Sequence, residues 1–143
     1  MQLRFKKTDR RGHIPTRARD GDAGLDLEAT EDHVIEPGER TTIGTGIAVE
    51  IPEHHAGLVL PRSGLATRHG LTLINAPGLI DPGYRGEVKV AVVNHDGSEP
   101  VKIARGDRIA QLVVVALPGV EPVIVDELSD TERGEGGFGS SGS

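Results

Sequence analysis

A chain of 143 residues with a formal charge of −6 is long enough for one domain with a hydrophobic core and too short for two. Hydrophobic residues make up 36% and aromatic residues 2%, so Val, Ile and Leu must build the core, and 20 glycines and nine prolines favour short strands joined by turns. The lack of cysteine excludes disulfides and thiolate metal sites, and the acidic balance argues against a nucleic-acid polymer as partner.

The sequence has no apolar run as long as a membrane span, and its N-terminus lacks the pattern of a signal peptide. We therefore expect a cytoplasmic protein with no membrane partner. A small anion stays open as a ligand, because a few arginines and backbone N–H groups are enough to bind one.

The predicted elements begin with a short strand at 3–5, a loop over 6–19 and a strand at 25–29. In the second strand Leu25 and Leu27 face one side, while Asp26 and Glu28 face the other. A half-buried strand with a solvated face explains this pattern. A carboxylate that is presented to a cation or a polar ligand explains it as well.

A turn at 36–39 precedes a strand region over 41–51. The next strand, at 56–60, runs into Pro61-Arg62-Ser63-Gly64, where a cation, a hydroxyl and a flexible glycine meet at a strand end. These groups suit a phosphate, although Ser-Gly is also common in ordinary loops. A short helical turn through Arg68 is the one helix that we predict.

The segment over 73–92 predicts a β-hairpin that reverses at Asp81-Pro82-Gly83. Valines alternate on the outgoing strand, at positions 88, 90 and 92. The proline restricts the backbone of Asp81, and Gly83 tolerates positive φ, so the hairpin presents Asp81 and Tyr84 in fixed directions. The same three residues also form ordinary turns for purely local reasons.

An apolar strand is predicted over 109–115, and Gln111 interrupts it. A buried amide needs hydrogen-bond partners, and a ligand can be one of them. A last strand-like run is expected at 123–126. The glycine- and serine-rich end is typical of a flexible tail, or of a mobile arm that closes with Arg133 on an anion and Phe138 on a ring.

Taken together, these segments resemble the trimeric deoxyuridine triphosphatase (dUTPase) family. Five motifs occur in family order and span nearly the whole chain: DAGLDL at 22–27, PRSGLA at 61–66, NAPGLIDPGYRG at 75–86, RGDRIAQL at 105–112 and RGEGGFGSSG at 133–142. The resemblance implies an all-β, jelly-roll-like β-barrel over 1–126 and a flexible C-terminal arm over 127–143. It also implies a homotrimer with active sites shared between subunits.

The resemblance further implies hydrolysis of dUTP to dUMP and pyrophosphate with Mg²⁺, which keeps uracil out of DNA and supplies dUMP for dTMP synthesis. Asp81 would activate the water that attacks the α-phosphorus, and Asp26 would hold the Mg²⁺ through water. Uracil and deoxyribose would be bound by Asn75, Gly78, Ile80, Tyr84, Lys89 and Phe138. The phosphates would be bound by Arg62, Ser63, Gly64, Gln111, Arg133, Gly139 and Ser140.

Two rival functions share this scaffold. Deoxycytidine triphosphate deaminases resemble the chain in the hairpin motif, but they carry a catalytic glutamate where Ala91 stands and they lack the arm. A non-catalytic nucleotide-binding or regulatory protein is the other rival. The presence of Asp81 and a complete arm favours an enzyme over that reading.

Overall fold

The computed structural model describes residues 1–139, and nearly all of its regular structure is strand. In that range the strands are β1 Arg4–Lys7, β2 Leu25–Glu28, β3 His33–Ile35, β4 Arg40–Gly44, β5 Ile47–Glu50, β6 His55–Leu60, β7 Leu71–Leu73, β8 Gly78–Ile80, β9 Lys89–Asn94, β10 Val101–Ile103 and β11 Arg108–Ala116. A single helix among these residues, α1, covers Ser63–His69. The all-β class and the short helix are therefore confirmed.

The strands pair in four antiparallel sheets, which do not close into one hydrogen-bonded barrel over residues 1–139. The largest sheet has the order β2-β11-β6-β8, and a second has the order β4-β9-β7. Two-stranded ladders, β1-β5 and β10-β3, complete the set. Their inward side chains share one aliphatic core, whose fully buried members include Ile35, Ile43, Ile47, Val92 and Leu112. Each such side chain stabilises the fold by about 1.5–3 kcal/mol.

The predicted hairpin is confirmed in its pairing, since β7 and β9 are antiparallel neighbours with Leu73 opposite Val92. Between them the chain makes an excursion that the sequence analysis did not foresee. Strand β8 leaves this sheet and pairs with β6, so that Gly78 lies opposite Val59. The segment 74–88 therefore joins the two larger sheets and is fixed at both of its ends.

Helix α1 ends at Gly70, which adopts the left-handed conformation with φ 65° and donates its N–H to the carbonyl of Ala66 at 3.1 Å. A Cβ at this glycine would lie 2.8 Å from the backbone nitrogen of Asp96, so close packing also requires glycine. The helix thus stops within seven residues and returns the chain to β7. Nowhere in residues 1–139 does a helix have the length and apolar character needed to cross a bilayer.

Other elements also differ from the prediction. Strands β3 and β10 were not predicted, because three residues are too few to show an alternation; they form by pairing with each other. The strand-like run at 123–126 is not a strand in this chain, and Val123 and Ile124 are 80% and 99% exposed. An apolar segment becomes a strand only where its backbone finds a partner, and the described residues place none beside it.

Candidate active site

A cavity of about 220 Å³ lies beside β8 and the loop that follows it. It contains all six of the hairpin residues to which the sequence analysis assigned a role: Asn75, Gly78, Ile80, Asp81, Tyr84 and Lys89. Val59, Leu73, Val88 and Val90 supply apolar walls. We call this space the hairpin cavity. Its mixed lining suits a flat ring with polar edges.

Local packing explains how the hairpin cavity forms. A Cβ at Gly78 would lie 3.4 Å from both Val59 and the Asn75 amide nitrogen, which is ordinary van der Waals contact, so β8 packs directly against β6 and Asn75. The N–H of Tyr84 donates to the carbonyl of Asp81 at 3.1 Å and closes the turn. Both residues of this turn line the hairpin cavity, one with a carboxylate and the other with a phenol.

The loop after the turn is held by further hydrogen bonds. The Tyr84 hydroxyl donates to the carbonyl of Glu87 at 2.9 Å. The Arg85 guanidinium donates to the carbonyls of Pro82 and Tyr84 at 2.6 and 3.0 Å. These contacts restrict the conformations of the loop before any ligand binds.

A second pocket, of about 170 Å³, lies where β2, β11 and the start of α1 meet. We call it the arginine pocket. It gathers the predicted phosphate ligands from two motifs with the predicted metal-associated carboxylate: Arg62, Ser63, Gly64, Gln111 and Asp26. Ala18, Asp22 and Gly24 complete its lining. Cationic, hydroxyl and amide groups of this kind suit an anion.

The Asp26 carboxylate is paired with two arginines, Arg62 of the arginine pocket and Arg108 of β11. One carboxylate oxygen lies 3.2 Å from Arg62 Nε, and the other accepts a hydrogen bond from Arg108 at 3.2 Å. The Asp26 side chain is 13% exposed. Its charge is thus compensated inside the protein, and it holds Arg62 beside Ser63.

The carboxylates of the arginine pocket fit Mg²⁺ only together with water and substrate phosphates. Residues 1–139 contain no cluster of three or more His, Asp or Glu side chains able to hold a metal ion by themselves. Asp26 and Asp22 both line the arginine pocket, and carboxylate oxygens retain lone pairs for water after pairing with arginine. Mg²⁺ keeps several waters and binds readily to substrate phosphates, so these residues fit an ion that arrives with a triphosphate.

Gln111 projects from β11 across the arginine pocket. Its amide nitrogen donates to the carbonyl of Pro61 at 2.9 Å, which supplies the partner that a half-buried amide requires. Its amide oxygen lies against Gly24, where a Cβ would be only 2.3 Å away. Gly24 therefore leaves the space in which the Gln111 amide lies.

The two pockets have no lining residue in common. Arg133, Phe138 and Gly139 line neither of them; Phe138 is fully exposed, and Arg133 donates to the carbonyl of Gly136 at 2.7 Å. Ser140 lies outside the described residues. The chain thus presents two parts of the predicted site separately and leaves the described part of its arm apart from both.

Two residues at the site were not predicted. Glu87 lines the hairpin cavity, and Arg108, which lines neither pocket, is an ion-pair partner of Asp26. The signal for each was present, because Glu87 directly follows the hairpin motif and Arg108 lies within RGDRIAQL. Ala91 also lines the hairpin cavity, so the position that matches the deaminase glutamate supplies no carboxylate there.

An all-β fold with a ring-sized, partly apolar cavity and a separate pocket of arginine, hydroxyl and amide groups is the kind of architecture that suits a phosphorylated ring compound. The family model described as dUTPase matches residues 10–142. The chain belongs to the dUTPase family, and both the resemblance and the enzyme class predicted from it, dUTP diphosphatase, are confirmed.

Individual relatives agree with this assignment. The deoxyuridine 5'-triphosphate nucleotidohydrolase of Thermobifida fusca is 53% identical over 142 residues, covering 99% of this chain and 79% of that protein. The protein of the same name from an Anaeromyxobacter species is 52% identical over 145 residues, covering 99% and 98%.

Solved structures show the same fold. The dUTPase of Staphylococcus bacteriophage 80alpha with dUpNHpp has a TM-score of 0.92 and 34% identity, with 99% of each chain covered. A mutant dUTPase from phage phi11 of S. aureus, in which the coordination of a structural Mg(II) ion is described, has a TM-score of 0.81 and 29% identity, covering 89% and 98%.

Proposed function

We propose that this chain hydrolyses dUTP to dUMP and pyrophosphate, with uracil and deoxyribose in the hairpin cavity. One observation supports the proposal: Asp81, Tyr84 and Asn75 all line the hairpin cavity. A potential general base thus lies next to a slot for a ring. Family membership supplies the class of reaction.

Base selection follows from fixed polar groups. In the proposal, Asn75 and the backbone of Gly78 and Ile80 pair with the edge of uracil, and Lys89 lies at the same cavity. Cytosine would leave some of these groups unpaired, which costs about 1–3 kcal/mol for each buried group. The methyl group of thymine would be excluded by shape.

Sugar selection is assigned to Tyr84. Its ring would pack beneath the deoxyribose and leave no space for a 2′-hydroxyl. The hydrogen bond to Glu87 supports this role, because it fixes the end of the phenol.

The chemical step is assigned to Asp81. Its carboxylate would orient a water and accept one of its protons while the water oxygen forms a bond to the α-phosphorus. The bond from that phosphorus to the bridging oxygen then breaks, and pyrophosphate leaves with the electron pair. General base catalysis of this kind contributes about 10²- to 10⁴-fold in rate, and the remainder comes from positioning and charge stabilisation.

The phosphates would meet Arg62, Ser63, Gly64 and Gln111 of the arginine pocket. Asp26 would hold Mg²⁺ through water, and the bound cation would offset the charge of the triphosphate. The arm would close over the nucleotide and exclude water, with Phe138 on uracil and Arg133, Gly139 and Ser140 at the phosphates.

We also propose a homotrimer in which each site takes the arginine pocket from one chain, the hairpin from a second and the arm from a third. The separate linings of the two pockets support this arrangement. Mixing two variants of strongly reduced activity tests it. Asp81→Asn chains and Gln111→Ala chains, refolded together, should regain activity if the two residues act from different chains. Failure to regain activity in verified mixed trimers would contradict shared sites.

The proposed function is tested by measuring pyrophosphate release from dUTP, dCTP, dTTP and UTP, with Mg²⁺ and with a chelator. Release from dUTP alone, lost on chelation, is the expected result. Equal release from all four nucleotides would refute the roles given to Asn75 and Tyr84. Deamination of dCTP in place of pyrophosphate release would refute the reaction itself.

A further inference from the structure

Gly86 lies against the Tyr84 ring. A Cβ at Gly86 would be 2.4 Å from the phenolic oxygen, 2.6 Å from ring carbon Cζ and 3.0 Å from Cε2. The backbone of Gly86 is not among those with positive φ, so its conformation is open to other residues. A side chain at this position would therefore have to displace the Tyr84 ring.

Glu87 holds the same ring through its hydroxyl. Its carbonyl accepts the Tyr84 hydroxyl at 2.9 Å, and its carboxylate accepts the N–H of Gly46 at 2.9 Å. The next residue, Val88, donates its N–H to the carbonyl of Ile47 at 2.8 Å. The acceptor of the Tyr84 hydroxyl is thus tied to the connection between β4 and β5.

These contacts matter because Tyr84 is otherwise accessible. The residue is 46% exposed, and an exposed side chain that packing does not hold exchanges rotamers within nanoseconds. Gly86 gives the ring a place to lie, and Glu87 fixes the hydroxyl there. Loss of either contact frees the ring to move.

We infer that Gly86 and Glu87 are positioning residues that set the preference for a 2′-deoxy sugar by holding the Tyr84 ring in one orientation. The inference rests on the proposed function, in which that ring packs beneath the deoxyribose. A displaced ring opens space for a 2′-hydroxyl. Displacement of the ring should therefore lower the ratio of kcat/KM for dUTP to kcat/KM for UTP.

The first test compares Gly86→Ala with wild type. The ratio of kcat/KM for dUTP to that for UTP should fall about tenfold, as expected when a steric contact is relaxed. Gly97→Ala is the matched control, because a Cβ at Gly97 meets nothing within 4 Å, and its ratio should equal that of wild type. An unchanged ratio in Gly86→Ala, whether or not both activities fall, would overturn the inference.

Glu87 provides a second pair of variants, which serves even if Gly86→Ala does not fold. Glu87→Gln keeps an oxygen that accepts the Gly46 N–H, so the ratio should stay near that of wild type. Glu87→Ala removes this acceptor and should lower the ratio. Equal ratios in the two variants would contradict the role of Glu87.

Fluorescence separates failure of this inference from failure of the proposed function. Tyr84 is the only tyrosine in the chain, and there is no tryptophan, so tyrosine emission reports this ring alone. Gly86→Ala and Glu87→Ala should lower its anisotropy and increase its quenching by acrylamide. Unchanged emission would overturn the inference. If the ring is freed in the variants but wild type does not prefer dUTP over UTP, the sugar role of Tyr84 and the selectivity claim fail, while the positioning contacts stand.

Discussion

Replacing Gly24 by alanine tests whether the arginine pocket depends on the exact position of Gln111. The added Cβ would lie 2.3 Å from the amide oxygen of Gln111 and 3.1 Å from its Cβ and Cδ. Ordinary contact with a Cβ begins at 3.4 Å, so the amide oxygen must retreat by 3.4 − 2.3 = 1.1 Å. The amide nitrogen of Gln111 donates a hydrogen bond to the carbonyl of Pro61, and this hydrogen bond must lengthen or break.

A displacement of about 1 Å at a positioning group costs about 10²-fold in rate. This loss corresponds to about 2.7 kcal/mol of transition-state stabilisation. We therefore expect Gly24→Ala to reduce kcat/KM for dUTP by about 10²-fold, with a smaller change in thermal stability. Steady-state release of pyrophosphate measures the first quantity, and thermal unfolding measures the second.

A double-mutant cycle separates this cause from a general effect of Gly24 on β2. In a Gln111→Ala background the amide oxygen and Cδ are gone, so Gly24→Ala should cost little more activity. If Gly24→Ala causes the same loss of activity in the wild-type and the Gln111→Ala backgrounds, it does not act through Gln111.

Other regions of the chain give three more predictions. Asn94→Ala should lower the free energy of unfolding in urea by about 3 kcal/mol, because the buried amide donates to Ile35 and Glu99 and accepts from Asp96; a loss below about 1 kcal/mol would contradict this account. The Arg11 guanidinium holds the pKa of Asp9 well below its usual range, so this carboxylate stabilises the fold above about pH 4 and less as the pH falls through the lowered pKa. Asp9→Asn should weaken that acid dependence in thermal unfolding, and an unchanged pH profile would count against it. Deletion of 133–143 should leave the fold intact and remove most activity; full turnover would contradict the proposed lid.

The elements that the sequence predicted best are those with a strong local pattern. The alternating valines of β9 and the apolar run of β11 correctly predicted two strands, and Asp81-Pro82-Gly83 forms a turn as expected. The pairing of β8 with β6 was missed, because partner choice depends on contacts between distant segments rather than on local periodicity.

The same distinction applies to the candidate site. The sequence assigned a phosphate role to Arg62 and a metal role to Asp26, but no spacing along the chain predicted that their side chains would pair. The space requirements of Gly24 and Gly86 were also invisible, because glycine is common in loops and its neighbours appear only in the folded chain. The family resemblance identified the candidate site residues, and the structure shows the hydrogen bonds, ion pairs and packing contacts that hold them.

The role of Asp81 as general base is tested by dUTP turnover of Asp81→Asn under saturating Mg²⁺, with dUTP binding measured on the same sample. Asparagine preserves the size of the side chain and removes its ability to accept a proton. If Asp81 is the general base, binding is retained and kcat falls by about 10²- to 10⁴-fold. Normal turnover by a variant that binds dUTP would contradict Asp81 as the general base.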